Sequence, residues 1–286
     1  MNDTELAALL PPIDDNANKY TRGSLLILAG SARYPGAAVL AAQAAARTGV
    51  GYVTLAIPEP ALQVAQSNLL SVPVIAAPAQ DGTFAADAWK HITSQVNRVD
   101  AILLGPGLTV SPSTSTFVQT VTMLSPVPVL LDADALNILA AFCARENRVP
   151  AWPANTILTP HAGELKRMLD ATKTTGTEAL AQLLGSVIVA KGPTTQIVSP
   201  TQSASSSTGT AALAKAGTGD VLSGIIASLL AQGASLFSAA VLGVEIHSRA
   251  GIIAEQKLGR RSVCAEDVIK AIPTVLQQLD AYKNLP

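Results

Sequence analysis

The sequence predicts an α/β protein, a mostly parallel sheet covered by helices on both faces. Short, near-continuous apolar runs alternate with Ala-rich stretches of helical length, which is the pattern of strands buried on both sides. Each run stops at Gly, Pro or Asp. Hydrophobic residues make up 49% of the 286-residue chain and aromatics 3%, which points to a large aliphatic core.

Taken in order, Leu25–Ala29 reads as a strand that ends at Gly30-Ser31. Gly36–Thr48 reads as a helix and Gly51–Ile57 as the next strand. Ala101–Leu104 stops at Gly105-Pro106-Gly107, and Val127–Leu131 stops at Asp132-Ala133-Asp134. Thr156–Leu158 stops at Thr159-Pro160-His161, before a helix from Gly163. Val187–Ala190 stops at Lys191-Gly192, and Gln196–Ser199 reads as a strand beyond that turn. The Ser/Thr-rich Pro200–Thr210 suits a mobile loop or a short hairpin. Val221–Ala254 is apolar, but Gln232, Gly233, Glu245, His247 and Arg249 break it short of the ~18 residues a membrane span needs. Two buried helices are expected there. No repeat and no shift in composition divides the chain, so residues 1–286 are expected to form a single domain.

Glycine and polar residues gather just after the carboxyl ends of the strands, where open α/β sheets bind ligands. Gly30, Gly107, Asp132, His161 and Lys191 are therefore expected along one edge of the sheet. The net charge of -1 and the lack of a basic run offer no footprint for nucleic acid or an anionic membrane. Cys143 and Cys264 stand far apart, which argues against a disulfide framework and for a reducing compartment. Met1–Tyr20 has no signal pattern, so a cytoplasmic protein is expected.

The most informative stretch runs from Ala216 to Gly233. Gly217 and Gly219 form a turn that enters an apolar helix directly. Backbone N–H groups at such a helix start can converge on an anion. Asp220 sits in the first turn, where a base can face a bound phosphate. The same residues also suit a plain helix start with Thr218 or Asp220 as cap. Lys191-Gly192-Pro193-Thr194-Thr195 follows a strand, so Lys191 can set a point charge on phosphate and Gly192 admits close approach. An ordinary turn between strands would look the same.

Several known motifs are ruled out. No G-x-x-x-x-G-K-[ST] occurs, and the glycine after Gly219 is Gly224, the wrong spacing for a dinucleotide fingerprint. Gly49-Val-Gly51 precedes a strand where the fingerprint would follow one. Metalloprotease, zinc-type and nucleophile-elbow patterns are missing as well. His161 can contact a ligand above the sheet, or belong to a helix cap with Glu164 in the first turn. His91 and His247 fall in helical patterns and read as structural. Asp132 and Asp134 would point the same way in a strand, as if to share a Mg2+, or else serve a turn and a helix cap.

Six segments stand in one order: Gly30-Ser31…Tyr34-Pro35-Gly36-Ala37, Gly105-Pro106-Gly107, Asp132-Ala133-Asp134-Ala135-Leu136-Asn137, Thr159-Pro160-His161-x-Gly163-Glu164, Lys191-Gly192-x-x-Thr195 and Gly217-Thr218-Gly219-Asp220. The chain thereby resembles the NAD(P)H-hydrate dehydratase family of the ribokinase-like superfamily, from about Lys19 to Pro273. The companion epimerase domain that some relatives carry is therefore not expected within these 286 residues. The chain departs from the family pattern at Ala162, usually proline, and at Thr208-Gly209-Thr210-Ala211-Ala212, usually Thr-Gly-Asn-Pro-Gly. It departs again at Ile252, often aspartate.

The resemblance implies a three-layer ribokinase-like fold and a metabolite-repair reaction on NADH-hydrate or NADPH-hydrate. The ring hydroxyl is phosphorylated from ADP (ATP in some members) with Mg2+, giving AMP from ADP, and phosphate is then eliminated. Asp220 would be the base, and Gly217, Thr218 and Gly219 the anion hole. Lys191, Gly192, Pro193, Thr194 and Thr195, with Gly219, would bind the nucleotide. Ala37, Gly107 and His161, with Asp220, would line the hydrate site on the opposite side. Metal ligands are not specified by the resemblance, and a homotetramer is the expected assembly. Two alternatives share the Gly-Thr-Gly-Asp helix: a kinase of a small vitamin-precursor alcohol, and a non-catalytic nucleotide-sensing protein.

Overall fold

A computed structural model describes residues 1–149 and 155–283. A short helix α1 (Asp3–Ala8) precedes β1 (Ser24–Leu28), α2 (Pro35–Arg47) and β2 (Tyr52–Pro58). Next come α3 (Leu62–Asn68), β3 (Val74–Ala77), the small hairpin β4 (Ala79–Gln80) and β5 (Thr83–Phe84), and α4 (Ala88–Val96). The alternation continues through β6 (Ala101–Leu104), α5 (Pro112–Leu124), β7 (Val129–Leu131), α6 (Asp134–Glu146) and β8 (Thr156–Leu158). Helices α7 (Ala162–Thr172) and α8 (Thr177–Leu184) lead to β9 (Val187–Ala190), β10 (Thr195–Val198) and β11 (Ser203–Ser206). Three helices close the chain: α9 (Thr218–Ala231), α10 (Leu236–Leu258) and α11 (Ala265–Lys283).

The main sheet runs β11-β10-β9-β8-β7-β6-β1-β2-β3. Pairs from β9 through to β3 are parallel, and β10 and β11 are antiparallel. The apolar runs are continuous because both faces of the sheet are covered. Leu25 and Ile27 point into a core shared with Ala41, Ile225, Leu242 and Val268. Leu26 and Leu28, on the opposite face, join Trp89, Phe117, Leu136 and Leu180. Alternation along each strand splits its side chains between these two cores.

Small residues let the helices of the first core approach closely. A Cβ on Gly224 would stand 2.3 Å from the Ala41 carbonyl oxygen, so α9 lies backbone-to-backbone on α2. By length and composition α10 could cross a membrane, yet 61% of its apolar window is buried in the fold.

Most strand readings hold to within a residue or two. β7 starts at Val129, after Pro128, whose carbonyl still accepts from the Ile102 N–H at 2.9 Å. The Ser/Thr-rich segment resolves as a hairpin, because β11 pairs with β10 from Thr195–Ser206 to Val198–Ser203. The edge strand β3 gives a weak signal, since only Ala77 in it is fully buried.

Candidate active site

The chain order reverses between β1 and β6: β2 and β3 continue to one side, β7 to β9 to the other. Such a switch point opens a crevice at the carboxyl ends of the strands. Gly30, Gly107, Asp132, His161 and Lys191 follow β1, β6, β7, β8 and β9, which all run parallel, so the five share one sheet edge.

At the switch point the two loops are stitched together. The Gly30 N–H donates to the Pro106 carbonyl at 2.7 Å, and the Ser31 and Thr109 hydroxyls lie 3.0 Å apart. Gly107 has φ +64°, and a Cβ there would meet the Tyr34 carbonyl oxygen at 2.7 Å and the Ala37 Cβ at 2.9 Å. Ala37 and Gly107 are thus neighbours, with backbone as their main polar offering.

A second region lies beyond β8. A cavity of about 640 Å³ opens between the loops after β8 and β9, residues 209–215, and the facing sides of α9 and α10. That volume suits a nucleotide-sized ligand. Lys191, Gly192, Pro193, Thr195, Thr218 and Gly219 line it, as does His161. Thr194, Gly217, Asp220, Ala37 and Gly107 do not. His161 therefore shares a wall with Lys191 instead of standing opposite it. The reason is topological: β8 and β9 are adjacent parallel strands, and His161 and Lys191 form a bridge just past their ends.

The cavity also holds residues that the sequence motifs did not mark. Val244, His247 and Ser248 recur at helical spacing on α10 and face it together. That periodicity was readable, but the sheet edge they would face was not. The His247 Nε2 is buried with no hydrogen-bond partner among the described residues. Burial pulls this imidazole down to about 4, a backbone hydrogen bond at Thr218 works the other way, and the Lys191 charge adds to the fall. Thr210 and Ala211, within the segment that departs from the family pattern, form part of the same lining. The Thr210 hydroxyl donates to Glu255, which also receives the Arg260 Nε at 2.6 Å.

The two regions flank the first turn of α9. Gly217 caps this helix at φ +90°, a conformation that favours glycine. The Thr218 hydroxyl lies 2.7 Å from the Leu213 carbonyl and 2.8 Å from the Lys215 carbonyl, fixing the helix start to the cavity roof. The Thr218 N–H donates to the Lys215 carbonyl at 3.4 Å, and the first full helical turn closes with Val221 donating to Gly217 at 3.1 Å. The N–H groups of Gly219 and Asp220, which precede that first bond, can receive an anion.

Beneath this turn lies a buried charge cluster. The Lys191 Nζ donates to the Asp132 Oδ1 at 2.8 Å. The Ser223 hydroxyl donates to the Asp132 Oδ2 at 2.5 Å and stands 3.0 Å from the Gly219 carbonyl oxygen. A Cβ on Gly219 would lie 3.6 Å from the Lys191 Nζ, so the ammonium sits against the turn. Burial alone would lower the Lys191 ammonium, but the charge and hydrogen bond of Asp132, then Glu164 and Asp220, hold it above its ordinary value. Asp220 is pushed up to about 7, first by burial and then by the Asp132 carboxylate; Lys191 opposes this, while Asp134 and Glu164 add to it.

His161 caps α7. Its Nδ1 accepts from the Gly163 N–H at 3.0 Å, while Glu164 accepts from the His161 N–H at 2.8 Å. An accepting Nδ1 places the ring proton on Nε2, which lies 3.2 Å from the Glu164 Oε1. The expected cap is thus formed, and the same side chain lies on the cavity wall.

Asp132 and Asp134 have different partners. Ala133 turns at φ +51° and ends the strand alternation. Asp132 is engaged by Lys191 and Ser223, while Asp134 accepts from the Thr109 N–H at 2.9 Å. Among the described residues no three His, Cys, Asp or Glu side chains gather as a metal cage.

Comparison with known proteins agrees with this geometry. Residues 25–274 match the family model described as NAD(P)H-hydrate dehydratase. An ADP-dependent (S)-NAD(P)H-hydrate dehydratase of Neisseria meningitidis is 35% identical over 86% of this chain and 81% of its own length. The chain spans about half the length, 52%, of a bifunctional NAD(P)H-hydrate repair enzyme it also matches. A ribokinase-like superfamily protein of Enterococcus faecalis superposes with TM-score 0.84 at 22% identity, over 98% of this chain and 95% of that one. An ADP/ATP-dependent NAD(P)H-hydrate dehydratase of Bacillus subtilis, co-crystallised with ATP/Mg2+, gives TM-score 0.79 at 29% identity over 97% of both chains. The fold is ribokinase-like, and the chain belongs to the NAD(P)H-hydrate dehydratase family.

Proposed function

We propose that this chain dehydrates the S-form of NADH-hydrate and NADPH-hydrate at the expense of ADP, restoring the reduced dinucleotide. The observation that carries this reading is the first turn of α9. There a half-buried carboxylate, Asp220, stands beside the N–H donors of a helix start, with a nucleotide-sized cavity on one side and the switch-point crevice on the other. The substrate hydroxyl oxygen attacks the terminal phosphorus of ADP, the phosphorus–oxygen bond to AMP breaks, and the hydroxyl proton passes to Asp220. The carbon–oxygen bond of the new ester then breaks, driven by the ring nitrogen's lone pair. Phosphate leaves and the neighbouring ring carbon loses a proton, re-forming the double bond.

Gly217, Thr218 and Gly219 would hold the transferring phosphoryl group through backbone donors, which need no reorganisation as charge builds. Gly192, Pro193 and Thr195 would border the nucleotide, and Ala37 and Gly107 the hydrate, with His161 where the two meet. Mg2+ would accompany the nucleotide phosphates, since it is commonly held by substrate phosphates with few protein groups. ATP is the alternative donor.

Purified chain, Mg2+ and hydrated NADH are mixed with ADP or with ATP. Recovery of the NADH absorbance band, with one AMP and one phosphate per NADH formed from ADP, is the expected result. A vitamin-alcohol kinase would give no recovery but would phosphorylate its alcohol. A sensor would bind nucleotide without turnover.

A further inference from the structure

We propose that Asp132 is a positioning residue for phosphoryl transfer, clamping the Lys191 ammonium under the α9 turn with one oxygen and the turn itself, through Ser223, with the other. This rests on the functional reading above and extends it to a residue that touches neither ligand. Asp132 is 1% exposed, and both its oxygens are spent inside the protein. Its two partners come from distant parts of the chain, Lys191 from the end of β9 and Ser223 from α9. Ser223 lies one helical turn beyond Gly219 on α9, so anchoring it to Asp132 anchors the helix start that carries Asp220. One carboxylate thus sets both the cation beneath the anion hole and the orientation of the base.

Stability alone does not account for such a pair. A buried ion pair often matches no more than well-packed apolar residues in stability, because both ions lose their water. What it does supply is a fixed charge at a fixed place. If Lys191 were free, its ammonium would be drawn to Asp220 or Glu164, whose charges it already feels. An Asp220 paired to a lysine would be a poor proton acceptor. Asp132 holds the lysine out of that pairing while leaving its charge near the transferring phosphoryl.

The groups facing Asp220 are Asp132 after β7, Asp134 on α6, Glu164 on α7 and Lys191 after β9. From α10, His247 faces Lys191 and is held neutral. Removing the charge of Asp132 therefore leaves Asp220 in a more positive field. Its ionisation must move to lower pH.

The test uses the full chain and the variants Asp132→Asn, Asp132→Glu, Ser223→Ala, Lys191→Met and the Asp132→Asn/Lys191→Met pair. Asp132→Asn should lower kcat on the order of 100-fold, as misplacement by about 1 Å can. KM for ADP and for the hydrate should hold within roughly threefold, and the acidic limb of the pH profile should shift to lower pH. Asp132→Glu should restore part of kcat, and Ser223→Ala should lose less. The double variant should be little worse than either single one, since the residues act as a unit. Carbon-13 NMR titration of the Asp220 carboxyl in ligand-free protein needs no substrate and should show the same downward shift in Asp132→Asn.

Unchanged kcat, an unmoved acidic limb and NMR midpoint, or additive losses in the double variant would overturn the proposal. If Asp132→Asn does not fold, Ser223→Ala decides: a loss of kcat with KM for both ligands held supports the clamp, and wild-type kcat removes it. If the wild type itself turns over no hydrate, the functional reading falls, and the NMR arm alone judges the clamp.

Discussion

The two regions beside the α9 turn are built in opposite ways. At the β1–β6 switch point the walls are backbone: Gly30 bonds Pro106, and Gly107 lies against Tyr34 and Ala37. In the cavity beyond β8 the walls are mostly side chains, drawn from six separate stretches that include α10 and the roof at residues 209–215. Backbone walls depend on close approach and fail when a single methyl group is added. Side-chain walls spread recognition over many small contacts and fail gradually. Loss of the shared turn should harm both regions at once.

The largest effect is expected at that turn. Asp220→Asn keeps the shape and removes the base, and should lower kcat by ~10²–10⁴. Wild-type kcat should rise with pH through about 7, where Asp220 ionises. Stability carries the opposite sign. The folded-state value lies above the ordinary carboxylate value of 3.8, so the folded protein binds the proton more tightly between about 4 and about 7. That stabilisation is complete below the unfolded value and is lost as pH rises through the folded one. Above pH ~7, Asp220→Asn should therefore be the more stable protein, on the order of 1–2 kcal/mol after its partial exposure is discounted. Urea unfolding across pH checks it, and a variant weaker than wild type at pH ~8 would refute the burial argument.

Gly107→Ala comes next. The left-handed backbone and the contact with the Tyr34 carbonyl should cost hydrate affinity roughly tenfold, from about 1–2 kcal/mol of strain. ADP affinity should hold, because Gly107 is not part of the cavity. Equal loss of both ligands in separate titrations would break the division into two regions.

His161→Ala tests the seam between them. A residue capping α7 on the cavity wall should, when truncated, cost about 1 kcal/mol of stability. It should also weaken both ligands a few-fold. Loss confined to the hydrate would return His161 to the switch-point side.

The smallest effect is expected at the roof. Glu255→Gln loosens the Thr210 and Arg260 contacts and should raise the dissociation constant for ADP on the order of threefold, leaving the hydrate unaffected. Calorimetric titration of ADP is sufficient to see it.

The parallel sheet was legible in the amino-acid pattern, because strands buried on both faces must be apolar at every position. The same pattern also located most of the sheet edge, since chemistry gathers where apolar runs stop, and the α9 turn, where glycine, threonine and aspartate leave little conformational choice. Those signals are local. That Lys191 pairs with Asp132 emerges from the folded arrangement, because the two stand 59 residues apart in sequence. That arrangement alone put His161 beside Lys191, through the adjacency of β8 and β9, and separated Asp132 from Asp134 by a turn at Ala133. His247 looked like one more helical residue and proved to line a cavity, because what a helix face meets depends on where its neighbours are packed. Periodicity specifies which side of an element is apolar. Sheet order and helix packing specify what that side touches, and those arise from contacts between distant segments.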